Sequence, residues 1–173
     1  MAQGAEPFAI DEQVMLRGRQ TRVTGRVQFE STNGQTTWRY LLSDTDGAPV
    51  VLEESQGQYA LLRPFPPTAR FKTAQDTVVV GTEKYKLASV RKLKVAEAAG
   101  NVPGAAAKAT LILSGMFEGL MGTLMRELVP GTTQQVYYLL KPLLHGEVLT
   151  AAGYAAQREA ESRAAVERAL KAD

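Results

Sequence analysis

Apolar residues recur at every second position through the first part of this chain, and that period limits the fold more than any other feature. Val23, Gly25, Val27 and Phe29 alternate with Arg22, Thr24, Arg26 and Gln28, and Trp38, Tyr40 and Leu42 flank Arg39 and Leu41 in the same way. A side-chain period of two belongs to strands with one face covered. Turn signals separate the runs. Asn33-Gly34 is a hairpin pair because both residue types tolerate positive φ. Asp44-Thr45-Asp46-Gly47 leads into residues 50–52, and Gln56-Gly57 leads into residues 59–62. Strands repeating every 8–12 residues or so, with turns between, indicate a meander of the kind found in rolls, sandwiches and small barrels.

Pro64, Pro66 and Pro67 end the meander, because proline donates nothing to a strand ladder. The pattern then restarts. EQVMLRGRQTRVTG before the break and DTVVVGTEKYKLASV after it share an apolar run, a Gly turn and a second strand, offset by one residue in the turn. We read this as a weak internal repeat. Leu93 and Val95 continue a strand, residues 100–103 break it, and residues 110–113 and 136–138 read as further strands. Residues 122–127 read equally as strand or helix. The tail from Gln157 to Asp173 is rich in Ala, Glu and Arg, with i,i+4 pairs Glu159–Arg163, Arg163–Glu167 and Glu167–Lys171, which predicts a charged helix. The expected architecture is therefore mainly β: two related small β-rolls or barrels over residues 1–67 and 68–150, the second packed on the first. A C-terminal α-helix follows over 151–173.

Composition removes several chemistries. With no Cys there is no disulfide framework, thiolate metal site or Cys nucleophile, and His145 is the one histidine. No metal or other cofactor is expected. The N-terminus places acids where an export signal needs basic residues before an apolar run. The most apolar stretch, residues 105–129, is interrupted by Lys108, Glu118 and Arg126. Charges near the middle of a membrane span cost about 2.5–3.5 kcal/mol each, so a transmembrane helix is not expected and the cytoplasm is.

Several short motifs together resemble the bacterial family known as domain of unknown function 4178. MLRGRQTRVTGRVQFE, WRYLL and EESQGQYALLRP carry Gly18, Gly25, Trp38, Tyr40, Leu41, Leu42, Gly57 and Tyr59 in that family's order. Gly81, Tyr85 and Leu87, then Gly100, Val102 and Pro103, resemble its second half, and residues 122–124 and 136–138 its closing strands. Arg39 stands where the family has an acid between Trp and Tyr, and Asn101 replaces a second acid, so no role of those carboxylates carries over. The resemblance implies no established reaction. It implies an accessory role beside phage-shock-like membrane-remodelling proteins.

Four groups of residues are candidates for function. Arg17, Arg19, Arg22 and Arg26 in the first hairpin, with Lys84, Lys86, Arg91, Lys92 and Lys94 in the second, concentrate positive charge. Up to residue 95 there are 13 basic and 10 acidic residues; afterwards there are 7 and 8. Such a face suits a nucleic acid or an anionic membrane, or is simply a solvated sheet face. Met116, Phe117, Leu120, Met121, Leu124, Met125 and Leu128 recur at helical spacing, as core or as an adaptable Met-rich partner surface that would work with Val166 and Leu170 of the tail. Asp44, Asp46, Glu53 and Glu54 are the densest carboxylate group, read as β-turn chemistry or as a cation or polyamine site. His145 with Ser114 and Glu118 would need the fold to assemble a nucleophile and base.

The expectation is a non-enzymatic interaction module of an envelope-stress system. It would bind a protein partner, a phage-shock-like coiled-coil protein by the resemblance, with peripheral membrane contact and self-association through the terminal helix as further options. The alternatives are a nucleic-acid-binding β-barrel and a polyamine-type sensor.

Overall fold

The structure is a computed structural model and describes residues 7–44, 49–66, 68–101, 110–131, 135–144 and 146–172. The strands are β1 (Gln13–Leu16), β2 (Arg19–Ser31), β3 (Thr36–Ser43), β4 (Pro49–Ser55), β5 (Gln58–Pro64), β6 (Phe71–Thr73), β7 (Thr77–Val80), β8 (Glu83–Gly100), β9 (Leu111–Gly119), β10 (Gly122–Leu128), β11 (Gln135–Pro142) and β12 (Val148–Thr150), followed by helix α1 (Ala151–Lys171). Hydrogen bonding runs in the order β2-β3-β4-β5-β11-β10-β9-β8, and β8 pairs back onto β2. These eight strands form a closed barrel, which leaves no unpaired edge within the ring. The mainly β expectation with a terminal helix therefore stands.

The repeat is visible in how each half enters the ring. β1 ends at Leu16 and β2 begins at Arg19; β7 ends at Val80 and β8 begins at Glu83. Each short strand thus meets a long one across a two-residue turn containing Gly18 or Gly81, both at positive φ. Each long strand then has a bulge at the same distance from its start, and β8 has a second at Ala96, opposite Gln28 and Phe29 of β2. Val23 and Gly25 pair with Leu42 and Leu41, leaving Thr24 over, and Leu87 and Ser89 pair with Phe117 and Met116, leaving Ala88 over. Where the sequence leaves two small rolls or barrels, strand pairing joins them into one. Each meander contributes four strands, first pairs with first (β2–β8) and last with last (β5–β11), so each half satisfies the other's edges.

The bulges at Thr24 and Ala88 each move the chain's apolar side from one face of the sheet to the other, because side chains alternate strictly between faces. Val23 packs outside the ring with Tyr40, Leu42, Leu52 and Leu61, under Phe8, β1 and β12. Val27 and Phe29, past the bulge, lie inside with Leu93 and Val95. Tyr85 packs outside with Phe117, Leu124 and Val78, under Phe71 of the β6–β7 hairpin. Val51, Leu62 and Met125 fill the interior with Met116 and Tyr138. The molecule is a side-chain-filled barrel with one satellite core beneath each flanking hairpin.

Helix α1 leaves the barrel from β12. Thr150 caps it, accepting a hydrogen bond from the Gly153 N–H at 3.0 Å. No residue of the helix is buried. No helix among the described residues is long and apolar enough to cross a membrane.

Candidate functional site

A charge network crosses the barrel interior. Arg39 on β3 and Glu127 on β10 stand half the ring apart, and the Arg39 guanidinium donates Nη1 to Oε1 and Nη2 to Oε2 of Glu127 at 2.5 and 2.6 Å. Side chains on opposite strands can meet in this way only through the lumen. Arg39 Nε donates to Glu53 at 2.9 Å on the neighbouring β4, and Arg91 Nη1 donates to the other Glu53 oxygen at 3.2 Å. Two guanidinium groups face two carboxylates, so the set is neutral. The Arg39 guanidinium also lies over the Phe29 ring, 4.8 Å from its centroid. Burial works against its charge, but Glu127 and Glu53 outweigh that and hold its pKa further up. Burial alone would raise the Glu53 pKa; Arg39 and Arg91 outweigh it and keep the carboxyl below its ordinary value.

The carboxylate group does not converge. Glu53 points into the lumen, while Glu54, next in the strand, lies on the outer face and accepts from the Gly57 N–H at 2.8 Å. Asp44 lies 3.5 Å from Arg19, and Asp46 is outside the described residues. His145 is also outside them. Ser114 is fully buried, beside Arg91 Nη2 at 3.5 Å, whereas Glu118 is exposed.

The basic residues occupy several surfaces rather than one. Arg17 pairs with Glu147 at 3.3 Å. Arg26 is largely structural: it donates to the Phe8 carbonyl at 3.0 Å, lies 3.6 Å from Glu97 and stacks on Trp38. Arg22 is exposed, but the bulge at Thr24 puts it on the face opposite Arg26. The bulge at Ala88 separates the exposed Lys84 and Lys86 from the exposed Lys92 and Lys94 in the same manner.

The Met-rich stripe is not a helix. Residues 111–128 form the β9–β10 hairpin, with Leu120 and Met121 at its turn. Met116, Phe117 and Met125 are therefore removed from the partner surface: Met116 is packed into the barrel core, and Phe117 and Met125 are completely buried. The residue order satisfies both periods, and pairing with β8 and β11 on either side selects the strand. Leu120 is 100% exposed and Met121 75%, and Val166 and Leu170 on α1 are exposed as well.

Sequence reasoning missed Arg91 and Glu127 as partners and placed Arg39 only as a departure from a family pattern. A signal for Arg39 did exist: it stands alone among Trp38, Tyr40, Leu41 and Leu42. Nothing local marks Glu127, whose partner is 88 positions away. No family model, curated protein or solved structure matches the chain.

Proposed function

We propose that this chain is a non-catalytic interaction module in which a rigid barrel presents helix α1 to a helical protein partner. The observation that carries the reading is a 21-residue helix without one buried residue. Helices in proteins usually owe their stability to packing of an apolar face. Here Ala-rich composition and the Glu159–Arg163 pair support the helix, while Val166 and Leu170, four residues apart, stay exposed on one stripe. A narrow i,i+4 stripe of this kind suits a second helix in a coiled-coil arrangement. The resemblance to domain of unknown function 4178 supports a coiled-coil protein of phage-shock type, engaged in the cytoplasm, as that partner.

The lumen supports a structural role. Its charged groups are paired with one another, which favours a fixed barrel over a reacting centre.

The test compares the full chain with one ending at Gly153, and with Val166→Asp combined with Leu170→Asp, as baits in extract of the native host. Both variants keep the cooperative melting transition of the barrel, the shortened chain losing only the helical part of its circular dichroism, and a helical partner recovered by the full chain is lost by both. Unchanged recovery of that partner by the shortened chain overturns the proposal.

A further inference from the structure

We propose that the β9–β10 turn and the outlying start of β8 form an anionic-membrane docking patch, in which Leu120 and Met121 enter the lipid interface and Lys72, Lys84 and Lys86 meet the headgroups. This patch is separate from helix α1 and does not depend on the partner assigned to it.

Strand register builds the patch. Lys72 pairs with Val79 and Val79 with Lys84, so these three side chains share one face in a single row. The next row holds Thr77, Lys86, Glu118 and Thr123 on the same face. The bulge at Ala88 gives this face its sign, by turning Lys84 and Lys86 to the side opposite Lys92 and Lys94. Lys72, Lys84 and Lys86 are all exposed, and Glu118 is the one acid in these rows.

The apolar tip lies at the edge of the same face. The turn between Gly119 and Gly122 consists of Leu120 and Met121, which are almost wholly in water. Gly119 fixes its position: a Cβ there would stand 2.9 Å from the Lys84 carbonyl oxygen and 2.7 Å from the Tyr85 ring. The turn is thereby held against β8 beside Lys84.

The chemistry favours a lipid surface over other partners. Two projecting side chains are far less than the roughly 800 Å² per partner of a stable protein interface. A single-stranded nucleic acid would want aromatic faces for stacking, but Tyr85, between Lys84 and Lys86, is buried, and Phe71, next to Lys72, is stacked on Tyr137. An apolar tip beside clustered lysines is what peripheral insertion into an anionic interface needs.

The chain has no Cys, so Met121→Cys gives one attachment point for an environment-sensitive dye. Flotation of the full chain with phosphatidylcholine vesicles, with and without phosphatidylserine, measures partitioning. The chain is expected to float only with the anionic vesicles, and the dye to shift to the blue there. Lys84→Glu with Lys86→Glu lowers partitioning more than about tenfold, since each lysine near such a surface contributes roughly fivefold. Leu120→Glu with Met121→Glu abolishes flotation, and melting curves confirm that both variants are folded. Absence of flotation with anionic vesicles overturns the proposal. So does flotation unaffected by the tip variant, or an unshifted dye on bound protein. Equal or tighter binding of a DNA or RNA duplex that ignores the tip variant assigns the lysines to nucleic acid and also overturns it.

Discussion

Gly25 and Asn101 touch backbone to backbone where the barrel closes. A Cβ on Gly25 would stand 1.8 Å from the Asn101 carbonyl oxygen, and the Asn101 N–H donates to the Thr24 carbonyl at 2.9 Å. Gly25 pairs with Gly100, so the β2–β8 seam ends on two glycines. Neither neighbour can yield without breaking the seam. Gly25→Ala is expected to destabilise the fold by at least about 2 kcal/mol, read from urea denaturation. A change under about 0.5 kcal/mol would show that the seam is loose.

Arg39 is the hub of the interior network, and removing it takes a guanidinium from two carboxylates. Arg39→Ala is expected to cost about 3–5 kcal/mol, because Glu127 loses its guanidinium and Glu53 keeps only Arg91. Arg39→Met combined with Glu127→Gln is expected to recover a good part of that loss, since Glu53 stays paired with Arg91 and no bare charge then remains inside. Equal stability of the single and double variants would show that the charges are not what the interior depends on.

Acid unfolding follows from Glu53. Its folded pKa is below its ordinary value, so its ionised form adds stability that is fully present above about pH 4.5 and is lost as pH falls through the folded value. Glu54 has the opposite sign: burial raises its pKa, against the Gly57 N–H, so its ionisation works against folding near neutrality. Glu53→Gln should lower stability at pH 7 and flatten the acid limb of the stability curve. Glu54→Gln should give its gain at pH 7 and lose it in acid. Denaturation midpoints measured from pH 7 downward check both slopes.

The β9–β10 hairpin separates buried from exposed members of one apolar stripe. Phe117→Ala is expected to cost about 3–5 kcal/mol and Met125→Ala about 2–5 kcal/mol, as cavities in the outer and inner cores. Leu120→Ala and Met121→Ala should each change stability by less than about 0.5 kcal/mol. Thermal melts of the four variants distinguish this hairpin from a helix, in which Met121 and Met125 would share a face.

Much of the fold was legible because alternation and turn chemistry are local. The meander from Arg22 to Leu62, the restart after Pro64 and the charged helix all follow from neighbours within a few residues. The faces were less legible. Thr24 and Ala88 look like ordinary members of their strands, yet each is the extra residue that turns the following side chains over. The single basic face drawn from Arg22 and Arg26, or from Lys84, Lys86, Lys92 and Lys94, therefore does not exist.

By itself the sequence determined that strands would dominate, where most of them turn, that two halves share a pattern, and that the tail is a helix. These depend on backbone preference and on a period read over short windows. Only the tertiary structure decided that the halves close into one ring, that residues 115–128 are a hairpin, and that Arg39 meets Glu127. Those outcomes depend on which edges find partners and which faces water leaves, and such contacts lie tens of residues beyond any window.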